Sequence, residues 1–261
     1  MISSLNEISE ILRYKELLRN LIARDIKVRY KRSVLGIFWV MLHPLLMMIV
    51  LSMIFSEIFN VTTKNYSLYV LSGFILWNFF SQSTSSALSS FTSNSSLINK
   101  IYLPKSIFPL SVILSGLIHF VFSLVPLFVI FLFSGAPLSP KIFILPLLIV
   151  MVMLFSFGVS LIIATLTVFF HDTRYIYDVL LIALMYATPI FYPESIVPQK
   201  YVFILHLNPL FYFMDIFRTA LYLDGPHLFG SLLYGGLFSI AAFIIGWFFY
   251  SLYKERIIYY L

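Results

Sequence analysis

Polar and apolar positions fall along this chain in long blocks. Successive charged residues enclose 24 uncharged positions between Arg32 and Glu57 and 35 between Lys64 and Lys100. They enclose 35 between Lys105 and Lys141, 30 between Lys141 and Asp172, and 29 between Asp224 and Lys254. A helix needs about 20 apolar residues to cross the hydrocarbon of a bilayer, and a charge at mid-membrane costs about 2.5–3.5 kcal/mol. The gaps therefore predict five spans, near 36–58, 66–88, 107–133, 142–170 and 229–252, the second apolar only in its first half. A sixth, shorter span is predicted near 175–190, with Asp178 at its start. Helices are the default for such runs, because lipid offers the backbone no hydrogen-bond partner.

Outside these runs, residues 12–30 predict an amphipathic helix. Leu17, Leu18, Leu21, Ile22, Ile26 and Val28 share one broad face, and Arg13, Glu16, Arg19, Arg24 and Lys27 share the other; Lys15, Asp25 and Arg29 interrupt the apolar side. A basic helix of this kind lies in the headgroup layer; the plainer reading is a charged topology anchor. The first apolar run is too long and too late for a cleavable leader. Residues 81–96 hold eleven Ser or Thr in sixteen. Such hydroxyls bond neighbouring helices or line a wet path, the former more commonly. The stretch near 190–228 is apolar and rich in proline and aromatic residues, which suits broken helices dipping back into the bilayer better than a solvated loop. No internal repeat is visible. The expected architecture is an all-α integral membrane protein with an interface helix in residues 1–35 and a six-span domain in 36–261. Re-entrant outer helices would lie between spans five and six.

Composition agrees: 61% of residues are hydrophobic and 11% charged, against about 45–50% and 25% in ordinary soluble domains. A water-soluble globule and a disordered chain are both excluded. With no cysteine, thiolate chemistry and disulfides are excluded as well. The net charge of +6 matters through its placement. With six spans, thirteen Lys and Arg fall on the side of the termini, and only Lys64, Lys141, Lys200 and Arg218 on the other. Both termini are thus expected in the cytoplasm.

Catalytic signatures are missing. There is no P-loop, no H-E-x-x-H and no G-x-S-x-G. Intramembrane His43 and His119 have no carboxylate nearby in sequence, so packing or helix–helix hydrogen bonding is the expected role. Acidic groups fall at span ends, with Glu57, Asp172 and Asp178 nearest the membrane, which disfavours proton- or ion-coupled transport. Aromatic residues make up 18% of the chain. Trp39, Tyr66, Trp77, Trp247, Tyr250 and Tyr253 are expected at headgroup level. Other rings are bulk, and some could face a passage and stack on sugars.

One stretch is specific: Arg24-Asp25-Ile26-Lys27-Val28-Arg29-Tyr30-Lys31-Arg32-Ser33-Val34-Leu35-Gly36-Ile37-Phe38-Trp39, followed by Pro44. It resembles the opening of ABC-2 type permeases that export polysaccharides such as O-antigen, capsule and teichoic acid. Further pieces follow in the family's order: Ser72-Gly73 with Trp77-Asn78-Phe79-Phe80; Asn99-Lys100 through Pro104-Lys105; Phe169-Phe170-His171-Asp172; Thr188-Pro189-Ile190-Phe191-Tyr192 with Pro198; Asn208-Pro209; and Arg218. Each is weak alone, but the ordered set covers nearly the whole chain. The family often has Arg where this chain has His171.

The resemblance implies a homodimer of this chain in the bacterial cytoplasmic membrane, paired with two copies of a separate ATPase. That partner would hold ATP and Mg, leaving no cofactor in this chain. The cargo would be a lipid-linked glycan, with membrane lipid and no nucleic acid as the other contacts. Asn99, Lys100, Pro104 and Lys105 would form one coupling element and His171, Asp172 and Arg174 the other. Arg24, Asp25, Lys27 and Arg29 would lie on the interface helix. Pro189, Tyr192, Pro198, Asn208, Pro209 and Arg218 would belong to an outer gate. The rivals are an ABC-2 permease for a small lipid or drug, a membrane-embedded transferase or hydrolase built around His171-Asp172-Arg174, and a secondary carrier.

Overall fold

The computed structural model of this 261-residue chain describes residues 7, 10–59, 65–135, 139–222 and 228–261. Lys64 and Asp224, which bound two of the charge-free runs, lie outside the described residues, as does the side chain of Glu57. The described residues form helices and no strand. In chain order these are α1 Lys15–Tyr30, α2 Trp39–Phe59, α3 Tyr66–Ala87, α4 Ser95–Ile98, α5 Ile107–Ser134 and α6 Leu145–Phe169. There follow α7 Thr173–Ala187, α8 Gln199–Leu207, α9 Pro209–Leu221, α10 Leu228–Tyr253 and α11 Ile257–Tyr260.

Four segments are long and apolar enough to cross a membrane: Gly36–Phe55, Ile107–Ser134, Pro140–Phe169 and Leu228–Tyr253. They coincide with the first, third, fourth and last of the predicted runs. Helix α3 has 22 residues, about 33 Å at 1.5 Å per residue, but its Ser/Thr-rich second half lowers its apolarity. It is the central element, packed by α2, α5, α6 and α9, and most of its side chains are buried. Helix α7 has 15 residues, about 22 Å against a hydrocarbon core of about 30 Å.

Several expectations change on contact with the fold. Tyr66, Trp77 and Tyr250 face protein and are buried, with ring partners inside, Tyr66 on Tyr69, Trp77 on Phe80 and Tyr250 on Phe91 and Trp247. The hydroxyls of Thr84, Ser89 and Ser93 do not reach neighbouring helices. They donate to the Phe80, Ser86 and Ser89 carbonyls, one turn back in their own segment, at 2.7, 3.4 and 2.7 Å, the local alternative open to short hydroxyl side chains. In α1, Leu21 is buried and Leu17 and Leu18 pack on the core, as the pattern predicts. Val28 is exposed instead; the last turn directs Arg29 and Tyr30 against His119 of α5.

Two proline and glycine positions shape the packing. Pro44 lies inside α2 and has no N–H for the carbonyl of Val40 one turn earlier. The Ser123 hydroxyl of α5 donates to that carbonyl at 3.3 Å. Helices α6 and α10 form the most extensive helix pair, and at its centre their backbones meet. A Cβ added at Gly158 would strike the Ala242 carbonyl, and one at Gly246 would strike the Gly158 carbonyl. Small residues permit such approach where helix association rests on van der Waals contact. Gly246→Leu is therefore expected to abolish stable protein in detergent. Gly230→Ala, on the same helix with open space around it, should leave the melting temperature unchanged; equal behaviour of the two would refute the close-approach account.

Candidate functional site

Chain segments distant in sequence converge at the end of the bundle that carries α1. The carboxylate of Glu7 is buried there. Its Oε1 accepts from the Ser106 hydroxyl at 2.8 Å and from the Tyr250 hydroxyl at 2.6 Å, and Lys254 Nζ sits 3.0 Å from Oε2. The Ser106 N–H donates to the Tyr250 oxygen at 3.1 Å. Lys105 Nζ donates to the Lys254 carbonyl at 2.7 Å. Burial pulls the Lys105 ammonium below the ordinary lysine range, while Glu255 and Glu7 draw it back. One carboxylate thus ties the start of the chain to the N-terminal end of α5 and the C-terminal end of α10.

The loop before α5 divides accordingly. Asn99, Lys100, Ile101 and Tyr102 are exposed, whereas Leu103 and Pro104 are buried and Lys105 is partly so. Tyr14 donates to the Tyr102 carbonyl at 3.3 Å, and Arg24 donates to the Asn94 side-chain oxygen at 2.8 Å while pairing with Asp25 at 3.0 Å. Helix α1 therefore braces this loop along two of its turns. A cleft of about 400 Å³ runs between residues 98–105 and the chain near Tyr250 and Lys254. The turn between α6 and α7 reaches the same region through Phe169, whose ring meets Tyr253 at 5.6 Å and Tyr260 at 4.9 Å. His171, Asp172 and Arg174 are exposed, and their side chains make no hydrogen bond among the described residues. Lys27 is exposed on α1.

The residues expected in the outer gate form a second cluster. Arg218 of α9 is 5% exposed. Its guanidinium lies 3.4 Å from the centroid of the Tyr69 ring and donates to the carbonyls of Pro189 at 2.9 Å, Tyr69 at 3.2 Å and Ile190 at 3.2 Å. No carboxylate pairs with it among the described residues. Room for it comes from Gly73, where an added Cβ would stand 2.7 Å from Nη2. Tyr69 donates to the Tyr192 carbonyl at 2.8 Å and Tyr66 to the Phe191 carbonyl at 2.6 Å; Tyr192 in turn donates to the Tyr186 carbonyl at 2.7 Å. Asn208 caps α9 by accepting from the Leu210 N–H at 3.0 Å, with Pro209 at the first helical position, a favoured start. Its amide also donates to Thr188 at 2.7 Å. Pro198 opens α8 and is exposed.

A third feature joins α1 to α5. Arg29 donates to His119 Nδ1 at 2.8 Å, the helix–helix hydrogen bond expected of an intramembrane histidine. The pair borders a cavity of about 230 Å³ between α1, α2, α3 and α5. Glu7, Tyr66, Tyr69 and Tyr250 were not singled out as site residues. Glu7 carried no signal, lying before any patterned element; the Tyr66 and Tyr69 pair at the start of an apolar run was a visible but ambiguous one. No group of three or more potential metal ligands exists among the described residues.

Residues 16–222 match the family described as ABC-2 type transporter. Over 189 residues the chain is 34% identical to the O-antigen export system permease protein RfbA of Klebsiella pneumoniae, covering 72% of this chain and 73% of that one. It is 28% identical over 217 residues to the RfbA permease of Myxococcus xanthus, with 82% and 84% covered. To the capsule polysaccharide export inner-membrane protein CtrC of Neisseria meningitidis it is 20% identical over 244 residues, 92% and 91% of the two chains. The matched residues run from the bracing helix α1 through the Arg218 cluster, and on that extent the chain belongs to the ABC-2 type transporter family of membrane proteins.

Proposed function

We propose that this chain is the membrane permease of an ATP-driven exporter of polysaccharide, moving a lipid-linked glycan out across the cytoplasmic membrane. The observation that carries the reading is the similarity over most of the chain to permeases named for O-antigen and capsule export, joined to a helical body with four apolar segments of spanning length. A hydroxyl-rich polymer cannot enter hydrocarbon, since each unpaired polar group there costs several kcal/mol. It needs a protein-lined path and an energy source. Membership of the ABC-2 type transporter family points to a separate ATPase, holding ATP and Mg, as that source, and the proposed assembly sets two permease copies on two ATPase copies.

The six-span arrangement completes the topology, with α3 and α7 as the second and fifth crossings and both termini in the cytoplasm. The exposed Asn99–Tyr102 tip and the exposed His171, Asp172 and Arg174 are the surfaces offered to the ATPase. Pro104 and Lys105, held inward, transmit its motion to α5 and, through the Glu7 cluster, to α10. The broken stretch from Pro189 to Pro209 is the outer gate, with Arg218 as its fixed point.

Three measurements test these assignments. Because the chain has no cysteine, single cysteines report topology cleanly. In intact cells an impermeant maleimide should label Lys200→Cys, and Lys100→Cys, Arg174→Cys and Arg256→Cys only after the membrane is opened; labelling of Arg256→Cys from outside would overturn the orientation. Lys100→Ala and Asp172→Ala should each reduce glycan export and ATPase stimulation severalfold with little change in thermal stability, their side chains being exposed. Wild-type values in both assays would remove these residues from coupling. Replacing Arg218 by Met leaves the Ile190 carbonyl without its donor, while Pro189 keeps the Tyr69 hydroxyl and Tyr69 keeps the Ser72 hydroxyl, and should lower stability by about 1–3 kcal/mol, with loss of export. Arg218→Lys should recover only part of it, having no planar fork to span the carbonyls.

A further inference from the structure

The contact between Arg29 and His119 fixes more than a helix pair. Arginine carries only donors, so His119 Nδ1 must accept at the 2.8 Å contact, and the imidazole proton sits on Nε2. That Nε2–H is buried and has no partner, on a side chain that is 9% exposed. The His119 side chain lines the cavity of about 230 Å³ between α1, α2, α3 and α5. The Ser83 hydroxyl in the same lining is buried and also unpartnered, and the amides of Asn78 and Gln82 complete the polar wall. Among the described residues no aspartate or glutamate lines this space. The guanidinium of Arg29 spends only part of its five donors on the histidine.

A buried donor without an acceptor costs about 1–3 kcal/mol, and lipid supplies nothing to relieve it. The lining is therefore incomplete without an acceptor-rich group, and its formal charge is positive. Charge-assisted bonds from arginine favour a planar or tetrahedral oxyanion over a neutral sugar. The volume suits a headgroup and is far too small for a polymer. Trp39 and His43, both partly exposed at the mouth, give an apolar and aromatic rim against which a lipid chain can lie.

We infer that this cavity binds a phosphate group, Arg29 and the His119 Nε2–H holding its oxygens. The inference rests on the exporter reading only for the source of that phosphate, the headgroup of a polyprenyl lipid carrier or free phosphate. The test uses the full chain in non-ionic detergent, with binding of farnesyl phosphate, farnesol and inorganic phosphate followed by native mass spectrometry and Trp fluorescence. Farnesyl phosphate should bind about tenfold more tightly than farnesol. His119→Leu and Arg29→Gln should each erase that preference, while Lys200→Gln keeps it. Arg29 is exposed, so its variant guards against a folding defect in the histidine variant. Competition by inorganic phosphate supports the site and makes the phosphate group sufficient; its failure to compete supports the site and assigns it to the lipid headgroup. Equal binding of farnesol, or an undiminished preference in both variants, overturns the inference. No export is measured, so a strain that still exports glycan without this gene would sink the exporter reading and leave the phosphate result standing.

Discussion

Arg218 donates to three carbonyls on two chain segments, and two of them, Pro189 and Ile190, lie in backbone that no helix satisfies. Thr188 and the residues after it are extended or bent, and broken backbone in lipid survives only where protein supplies donors. The guanidinium does this for Pro189 and Ile190, and at the same time for Tyr69, while its face is held by the Tyr69 ring. Tyr66 and Tyr69 extend the same service to Phe191, Pro189 and Tyr192. Residues 189–192 are thus fastened to α3 through their backbone carbonyls. Gly73 belongs to this arrangement for a steric reason, and Asn208 because its cap also reaches Thr188.

This explains what could be foreseen from sequence and what could not. The charge-free runs located Gly36–Phe55, Ile107–Ser134, Pro140–Phe169 and Leu228–Tyr253 within a few residues, since the cost of a charge in hydrocarbon dominates everything else there. Helix α3 was legible as a helix but not as the centre. Burial inside protein tolerates the hydroxyls that exposure to lipid would not, and Thr84 and Ser93 hide theirs on their own backbone. Aromatic position was illegible for a similar reason. Tyr250 sits near a helix end, as a boundary residue would, yet its hydroxyl serves Glu7, 243 residues away in sequence. No local pattern encodes that pairing. The Asn208-Pro209 cap and the Gly73 pocket were visible as letters, but only the Arg218 geometry gives Gly73 its meaning.

The two ends of the molecule differ in kind. Around Arg218 most donors go to backbone carbonyls, with the Asn208 amide on the Thr188 hydroxyl. Around Glu7 the contacts are between side chains on separate elements, with Lys105 and Lys254 bonded across them. The Glu7 carboxylate links Ser106, at the start of α5, to Tyr250 and Lys254 at the end of α10. Helix α1 lies alongside as a brace, touching the loop at Tyr102 and Asn94.

The arginines mark this contrast most sharply. Arg218 has its carbonyls within 3.2 Å and only its Nε left over; its charge is absorbed by dipoles and a ring, so it holds structure and attracts nothing further. Arg29 touches a histidine that can only accept from it, and passes the unmet demand to a buried N–H on the far side of the imidazole. Positive charge in a membrane protein is commonly explained as a topological anchor. An anchor, however, needs no histidine behind it and no cavity without carboxylates in front. The same residue type therefore does two jobs in this chain, and the direction in which the donors remain unsatisfied, inward to backbone or outward to a space, separates them.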